Sequence, residues 1–384
     1  MQSSSLELPR CEGGKDHEVG LNEKGEMRKE KCPCGTLIAL APFSFLLLCF
    51  YMQQRVADFI ASFQDSDAHI EVQTSGSTGV PKRMLVEKSC MLASARRTND
   101  VLGLQPGDVA IVCLPVEYIA GKMMVVRALE RNLRMEVITP SSNPLKDFDA
   151  NRLGAQTLLA ITPHQLAEIL EDERASQILK RVSHIIIGGG ALHERVEQTT
   201  KDLPGNVYAT YGMTETLSHI ALRRINGAHP ETHFSPLEGV RLTQDAEGCL
   251  IVFDPQTNDA PLHTNDLVEL LSDGCFRILG RRDNVVCSGG IKLQIEEIEH
   301  MLATVIPVPF MLTYVSDERL GQALTMLYTG DAFPSELHQL CAARVGRYEV
   351  PKHIFRVSSL PMTETGKPAR SEAHRVAEEC LAGK

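Results

Sequence analysis

The stretch TSGSTGVPKRML, Thr74 to Leu85, packs hydroxyls, glycines and a lysine into a dozen residues, and its reading decides the fold. This is a composition suited to gripping phosphate. A Walker A loop would read G-x-x-x-x-G-K-[ST], but Pro81 stands where the second glycine belongs and Arg83 where the Ser/Thr belongs. A P-loop NTPase is therefore excluded. What remains is a run of donors, Thr74, Ser75, Gly76, Ser77, Thr78 and Gly79, whose hydroxyls and backbone N–H groups can wrap an anion, with Lys82 adding charge. A bare Ser/Gly linker has no need of Pro81 and Lys82, which are expected to open an amphipathic helical run.

Outward from the loop, the 384 residues suffice for two or three domains, and 43% hydrophobic content fits a globular chain. Lys plus Arg number 39 and Asp plus Glu 49, a net charge of -10, which argues against nucleic acid as the main partner. Eleven cysteines lack paired spacing apart from Cys32 and Cys34, so a disulfide framework is not expected and the reading is a reducing cytoplasm. No second Cys/His pair completes a zinc site with them.

Residues 1–35 are polar and aperiodic and lead into TLIALAPFSFLLLCF, Thr36 to Phe50, too short to span a bilayer comfortably. Three readings stand: a leader carried in by a wrongly chosen start codon, a membrane-associated anchor, or a core helix. The first is preferred, because Met52 opens a plausible globular beginning with Val56, Phe59, Ile60 and Phe63 at helical spacing.

After the loop, a helix is expected from Glu87 to about Gly103, then short β-rich runs GDVAIVCLPV, LRMEVITP, TLLAITP and SHIIIGGG, with PHQLAEILEDE helical between two of them. This alternation implies a mostly parallel sheet covered on both faces, with ligands beyond the carboxyl ends of its strands. From about Gly239 short strands CLIVFD, DLVELL and CFRILG suggest an antiparallel or barrel-like piece, and a compact α+β unit follows a boundary at Arg282–Asp283.

Four further motifs carry chemistry. YGMTETLSH, Tyr211 to His219, offers an aromatic ring, the Thr214 hydroxyl and the Glu215 carboxylate, which beside a phosphate loop makes sense as a Mg²⁺ ligand; read alone, the alternative is a helix N-cap at Thr214 or Thr216. TND, Thr264 to Asp266, offers an acid able to accept from two ribose hydroxyls; alone it is a common turn. GRRDNVVCSGG adds two arginines, Arg281 among them, the acid Asp283 and a Gly-Gly pair after Ser288, and LPMTETGKPAR sets Lys367 on a glycine turn, where a lysine read alone is solvated surface.

In order and spacing, TSGSTGVPK, YGMTET, TND, GRRDNVVCSGG and TETGKPAR resemble the signature motifs of the adenylate-forming superfamily of acyl-CoA synthetases, peptide-synthetase adenylation domains and luciferases. The resemblance covers roughly Val72 to Arg370. It implies an α/β fold: a large N-terminal domain of mixed, mostly parallel sheets flanked by helices, with a small barrel-like β part, and a small mobile C-terminal α+β domain. The expected division is a leader at 1–51, an ATP- and acid-binding domain at 52–282 and a lid at 283–384. By the same resemblance the loop holds the β- and γ-phosphates of ATP, Gly189, Gly190 and Tyr211 flank the adenine, and Thr214 touches the α-phosphate. Glu215 binds Mg²⁺, Asp266 and Arg281 hold the ribose, Asp283 is the hinge, and Lys367 bridges the attacking carboxylate and the α-phosphate. Coenzyme A, the co-substrate, approaches past Ser288, Gly289 and Gly290.

Departures from the pattern also matter. Asn265 stands where the superfamily usually has glycine, and Tyr118 where a histidine is often found, so the gate near the acid pocket is expected to differ. The loop opens early, at Thr74, so part of the acid-site wall is expected to be missing or supplied by a second subunit, as in a homodimer. The segment with Arg127 and the block YGMTETLSHIALR are most similar to the o-succinylbenzoate-CoA ligases. Their acid carries a second carboxylate, which needs a cation or several donors when buried. The candidates are Tyr118, Lys122, Arg127, Ser218, His219 and Arg223. A ligase for another small acid and a module that loads a carrier-protein thiol stay open as alternatives.

Overall fold

The computed structural model describes residues 41–73, 83–190, 192, 194–258, 260–363 and 368–383 and, apart from residues 41–50, 194 and 195, their side chains. The phosphate-loop residues Thr74 to Lys82 and the expected catalytic Lys367 lie outside the described residues. By packing, the chain divides into Met1–Leu47, whose described part is the beginning of a helix, and Leu48–Lys384, which holds the remaining elements.

That helix, α1 (Ala41–Gln64), starts before Met52, so Met52 is interior to an element rather than its opening. Its spacing behaves as read: Met52, Val56, Phe59 and Phe63 are buried in the main core and Ile60 packs against it. No described helix is long and apolar enough to cross a membrane.

An antiparallel ribbon follows, β1 (His69–Gln73) and β2 (Arg83–Glu87), with Gln73 opposite Arg83 at the mouth of the phosphate loop. Here the structure corrects the expectation of a helix opening at Pro81 and Lys82. RMLVE is strand, and its burial alternates, with Leu85 exposed between half-buried Met84 and buried Val86, a period of two rather than of a helix. Helix α2 (Lys88–Val101) begins only after it.

The next elements are β3 (Val109–Val112), α3 (Ile119–Arg131), β4 (Arg134–Val137), β5 (Thr157–Ile161), α4 (Pro163–Glu171), α5 (Glu173–Leu179), β6 (His184–Ile187), α6 (Glu194–Thr200), β7 (Asn206–Gly212), β8 (His219–Arg224) and β9 (Ser235–Pro236). Their strands form one seven-stranded sheet in the order β4-β3-β5-β6-β7-β8-β9. Pairing is parallel from β4 through β7 and antiparallel at β8 and β9. Strands β3, β5 and β6 are buried along their whole length, the signature of a sheet covered on both faces. The edges differ from this interior. At β4 Glu136 is clasped by Arg134 and Arg152, and β9 is two residues long and ends in Pro236.

The second sheet is β10 (Arg241–Gln244), β11 (Cys249–Phe253), β12 (Leu262–Leu270) and β13 (Phe276–Arg281), an antiparallel meander in sequence order, so the antiparallel of the two alternatives is the one observed. Backbone bonds between Phe234 and Phe276 tie it to the large sheet. Beyond a 3-10 turn at Arg282–Asn284 come β14 (Val285–Ser288), β15 (Ile291–Gln294), α7 (Ile295–Ala303), β16 (Phe310–Asp317), β17 (Gly321–Tyr328), α8 (Pro334–Arg344), β18 (His353–Arg356) and α9 (Arg370–Ala382). This third sheet runs β15-β14-β17-β16, with β18 parallel to β17, and has a buried cluster of its own on each face.

Candidate active site

The parallel strands deliver their chemistry at their carboxyl ends. After β6 the chain turns through Gly188, Gly189 and Gly190. Gly189 has φ +86°, a region that suits glycine, and a Cβ on Gly188 would stand 2.4 Å from the Thr210 hydroxyl oxygen. At the end of β7 the register slips between Tyr211 and Gly212, and the chain folds into a 3-10 turn, Thr214–Thr216. The Thr216 hydroxyl holds that turn, accepting from the Met213 N–H at 2.9 Å. Thr214 is buried. Glu215 is half-buried, its carbonyl accepts from Asn258 at 3.2 Å, and its carboxylate has no partner among the described residues. An unpartnered carboxylate on a fixed turn suits a hard cation such as Mg²⁺.

Tyr211, Asp266 and Arg281 meet although they are far apart in sequence. Asp266 and Arg281 are directly cross-strand on β12 and β13. The Tyr211 hydroxyl donates to Asp266 Oδ2 at 2.5 Å and Arg281 Nη1 donates to Asp266 Oδ1 at 2.9 Å, with Asp266 buried. Burial first, and the Asp266 charge second, push the Tyr211 phenol upward, so it stays a donor. The Tyr211 ring meets Phe276 edge-on, with centroids 5.2 Å apart.

Arg281 also reaches Asp283 at 3.0 Å. Here lies a residue whose part the sequence reading missed. Asn265 Nδ2 donates to both Asp283 oxygens, at 3.1 and 3.0 Å, while its Oδ1 accepts from Arg282 at 2.6 Å. The signal was the departure from glycine inside TND; what a side chain there would reach is invisible without the β12–β13 register. At the third sheet, Gly289 (φ +59°) and Gly290 (φ +83°) form the two-residue turn between β14 and β15, beside Ser288, and a Cβ on Gly290 would meet open space.

The acid-site candidates separate. Arg127 of α3 is 3% exposed. It donates to Ser218 Oγ and contacts the Met124 sulfur at 3.7 Å. Its Nε has no hydrogen-bond partner and no carboxylate pairs with it among the described residues. Burial pulls this arginine down to about 10, still cationic at neutral pH. His219 lies beside it, Nδ1 3.4 Å from Ser218 Oγ and Nε2 3.1 Å from Thr98 Oγ1. Lys122, on another face of α3, sits over the Phe59 ring of α1 at 5.1 Å, away from this group. Tyr118 precedes α3 and bridges in parallel to Gln73 beside the phosphate loop. Arg223 is occupied by a bidentate pair with Glu197 at 2.8 and 2.6 Å. Thr98, in the last turn of α2, carried no sequence signal at all.

A mostly parallel sheet domain, an antiparallel meander and a small C-terminal α+β domain together make the architecture of an adenylate-forming enzyme. Residues 62–248 match the AMP-binding enzyme family profile, and residues 297–367 that of the AMP-binding enzyme C-terminal domain. A solved acyl-CoA synthetase (AMP-forming)/AMP-acid ligase II-like protein from Dyadobacter fermentans DSM 18053 is 34% identical. The match covers 84% of this chain and 93% of that one, with a TM-score of 0.57. The 2-succinylbenzoate–CoA ligase of Bacillus mycoides (strain KBAB4) is 26% identical over 348 residues, 83% of this chain and 72% of that protein. The o-succinylbenzoate coenzyme A synthetase of Bacillus subtilis, solved with ATP and magnesium ion, shares the fold at 21% identity and a TM-score of 0.64, covering 79% and 69% of the two chains. The chain belongs to the AMP-binding enzyme family and is an acid-thiol ligase of the AMP-forming acyl-CoA synthetase type.

Proposed function

We propose that this enzyme activates a dicarboxylic aromatic acid, o-succinylbenzoate, as its acyl-adenylate and passes the acyl group to coenzyme A. The observation that carries the choice of acid is Arg127. A guanidinium that is 3% exposed and has no carboxylate partner among the described residues is costly unless a ligand supplies the counter-charge. Ser218 stands beside it as a second polar group. The second carboxylate of the acid would supply that charge, and the relatives named 2-succinylbenzoate–CoA ligase support the reading.

The remaining roles follow from the chemistry of each group. The loop Thr74 to Lys82 holds the β- and γ-phosphates, Gly189, Gly190 and Tyr211 border the adenine, and Asp266 with Arg281 takes the ribose hydroxyls. Thr214 reaches the α-phosphate, and Glu215 holds Mg²⁺, which neutralises phosphate charge. A carboxylate oxygen of the acid attacks the α-phosphorus, the bond to the β-phosphate oxygen breaks, and pyrophosphate leaves. Lys367 steadies the charge that grows on the phosphoryl oxygens. The small domain, residues 283–384, then turns about Asp283, withdrawing Lys367 and opening a path past Ser288, Gly289 and Gly290. There the coenzyme A sulfur, its proton lost to solvent, attacks the acyl carbon and releases AMP.

The test is pyrophosphate release over a panel of mono- and dicarboxylic acids. o-Succinylbenzoate should lead by about a hundredfold in kcat/KM, and Arg127→Ala should erase most of that lead, on the order of 2.7 kcal/mol. Preference for a monocarboxylic acid, unaltered in Arg127→Ala, would reject the dicarboxylate and leave the family assignment standing.

A further inference from the structure

A chain of hydrogen bonds runs behind Arg127, and its direction can be derived. Thr98 Oγ1 lies 3.2 Å from the Ser94 carbonyl, one turn back on α2, and 3.1 Å from His219 Nε2. A hydroxyl has one proton, and a carbonyl can only accept. With that proton on the Ser94 oxygen, Thr98 faces His219 as an acceptor, and Nε2 must carry hydrogen. His219 is 6% exposed. Burial first, then Arg127 and Arg97, hold its imidazole neutral, well below the usual range. Nδ1 is then a bare acceptor, and the group it faces is the Ser218 hydroxyl at 3.4 Å. Ser218 spends its own proton on Nδ1 and turns its lone pairs to the donating Arg127 Nη2. The opposite direction, with Thr98 donating to Nε2, would leave the Ser218 proton unplaced and the Thr98 lone pairs idle. The first arrangement satisfies more groups in a buried setting, where unmade bonds are costly.

We infer that Thr98 and His219 are positioning residues for the acid site: Thr98 fixes His219 as the neutral Nε2–H tautomer, and His219 thereby holds Ser218 with its lone pairs toward Arg127. The guanidinium is then steadied from α2, through the start of β8, without touching a carboxylate. The part of this inference that concerns specificity rests on the dicarboxylate reading above; the tautomer does not.

Two measurements decide it. In protein labelled with ¹⁵N-histidine, the ring resonances of His219, assigned by their loss in His219→Asn, should show the neutral Nε2–H form. An Nδ1–H form overturns the inference whatever the substrate. Thr98→Val should raise KM for o-succinylbenzoate about tenfold, the scale of one lost buried hydrogen bond, with kcat changed less than about twofold. KM should stay near native for the same acid lacking the far carboxylate, and Thr98→Ser should restore the native value. A Thr98→Val enzyme with native KM, when Arg127→Ala abolishes discrimination between the two acids, rejects Thr98 and His219 as positioning residues while Arg127 survives. Native discrimination in Arg127→Ala rejects the dicarboxylate reading together with the specificity role. If Thr98→Val does not fold, the tautomer of the native protein and the KM of Thr98→Ser still decide: an Nδ1–H ring overturns the inference, and an Nε2–H ring with native KM supports it.

Discussion

Asp266 is buried with both carboxylate oxygens engaged, one by Tyr211 and one by Arg281. The charge is tolerable because a phenol and a guanidinium together replace water. Tyr211→Phe removes a hydrogen bond to a charged acceptor and keeps the ring packed on Phe276. It should cost about 2 kcal/mol of stability by denaturant titration and raise KM for ATP several-fold, roughly 3- to 10-fold. His219 gives a pH test. Its folded pKa lies well below the unfolded value near 6.5, so below that pH the unfolded chain binds a proton that the folded chain refuses. Stability contributed by the neutral ring is therefore full above about pH 6.5 and falls as pH drops, by up to ~1.4 kcal/mol per pH unit. His219→Gln should flatten that acid limb in melts between about pH 6.5 and 5; an unchanged slope would show that another group sets it.

At the scale of elements, the irregularity at the end of β7 aims the Thr214–Thr216 turn. Gly212 pairs with His219 across a register shift, and a Cβ there would stand 2.3 Å from the Ser218 carbonyl oxygen and 2.5 Å from the His219 Cα. Backbone cannot yield as a flexible side chain can. Gly212→Ala should therefore displace Ser218, Thr214 and Glu215 together, lowering pyrophosphate release by at least about a hundredfold in a protein whose circular dichroism is near native. Helix α4 offers a smaller effect. Thr162 and Gln165 cap it reciprocally, and Thr162→Ala should cost about 1 kcal/mol by urea titration. These elements show what the sequence reveals. The buried runs of β3, β5 and β6 and the period of α4 were legible because burial writes itself as apolar length and spacing. Strand β2 was missed because five residues beside a proline give too short a period to separate from a helix start. The motifs Tyr211, Asp266 and Arg281 were legible as types, but their meeting depends on cross-strand register, and the parting of Lys122 from Arg127 depends on how α3 rolls between α1 and β8.

For the whole molecule, one buried ion pair joins layers. Arg97 of α2 reaches Asp254 after β11 with bonds of 2.9 and 2.6 Å, both side chains under 10% exposed. It locks the large sheet's helical cover to the antiparallel meander. Arg97→Met should cost about 3 kcal/mol by leaving the buried Asp254 charge without its cation, held only by the Gln256 N–H and the Thr257 hydroxyl, and Arg97→Met with Asp254→Asn should recover part of that loss in thermal melts. The two rims of the seven-stranded sheet have a further consequence, for colloidal behaviour. A bare strand edge is a template on which another chain can crystallise, and here one rim carries an ionic clasp about Glu136 while the other stops at a proline that has no N–H to give. Sheet-to-sheet zippering between molecules is thereby shut off at both ends. The protein should stay monodisperse by light scattering at concentrations where Arg134→Val with Glu136→Val forms thioflavin-positive aggregates.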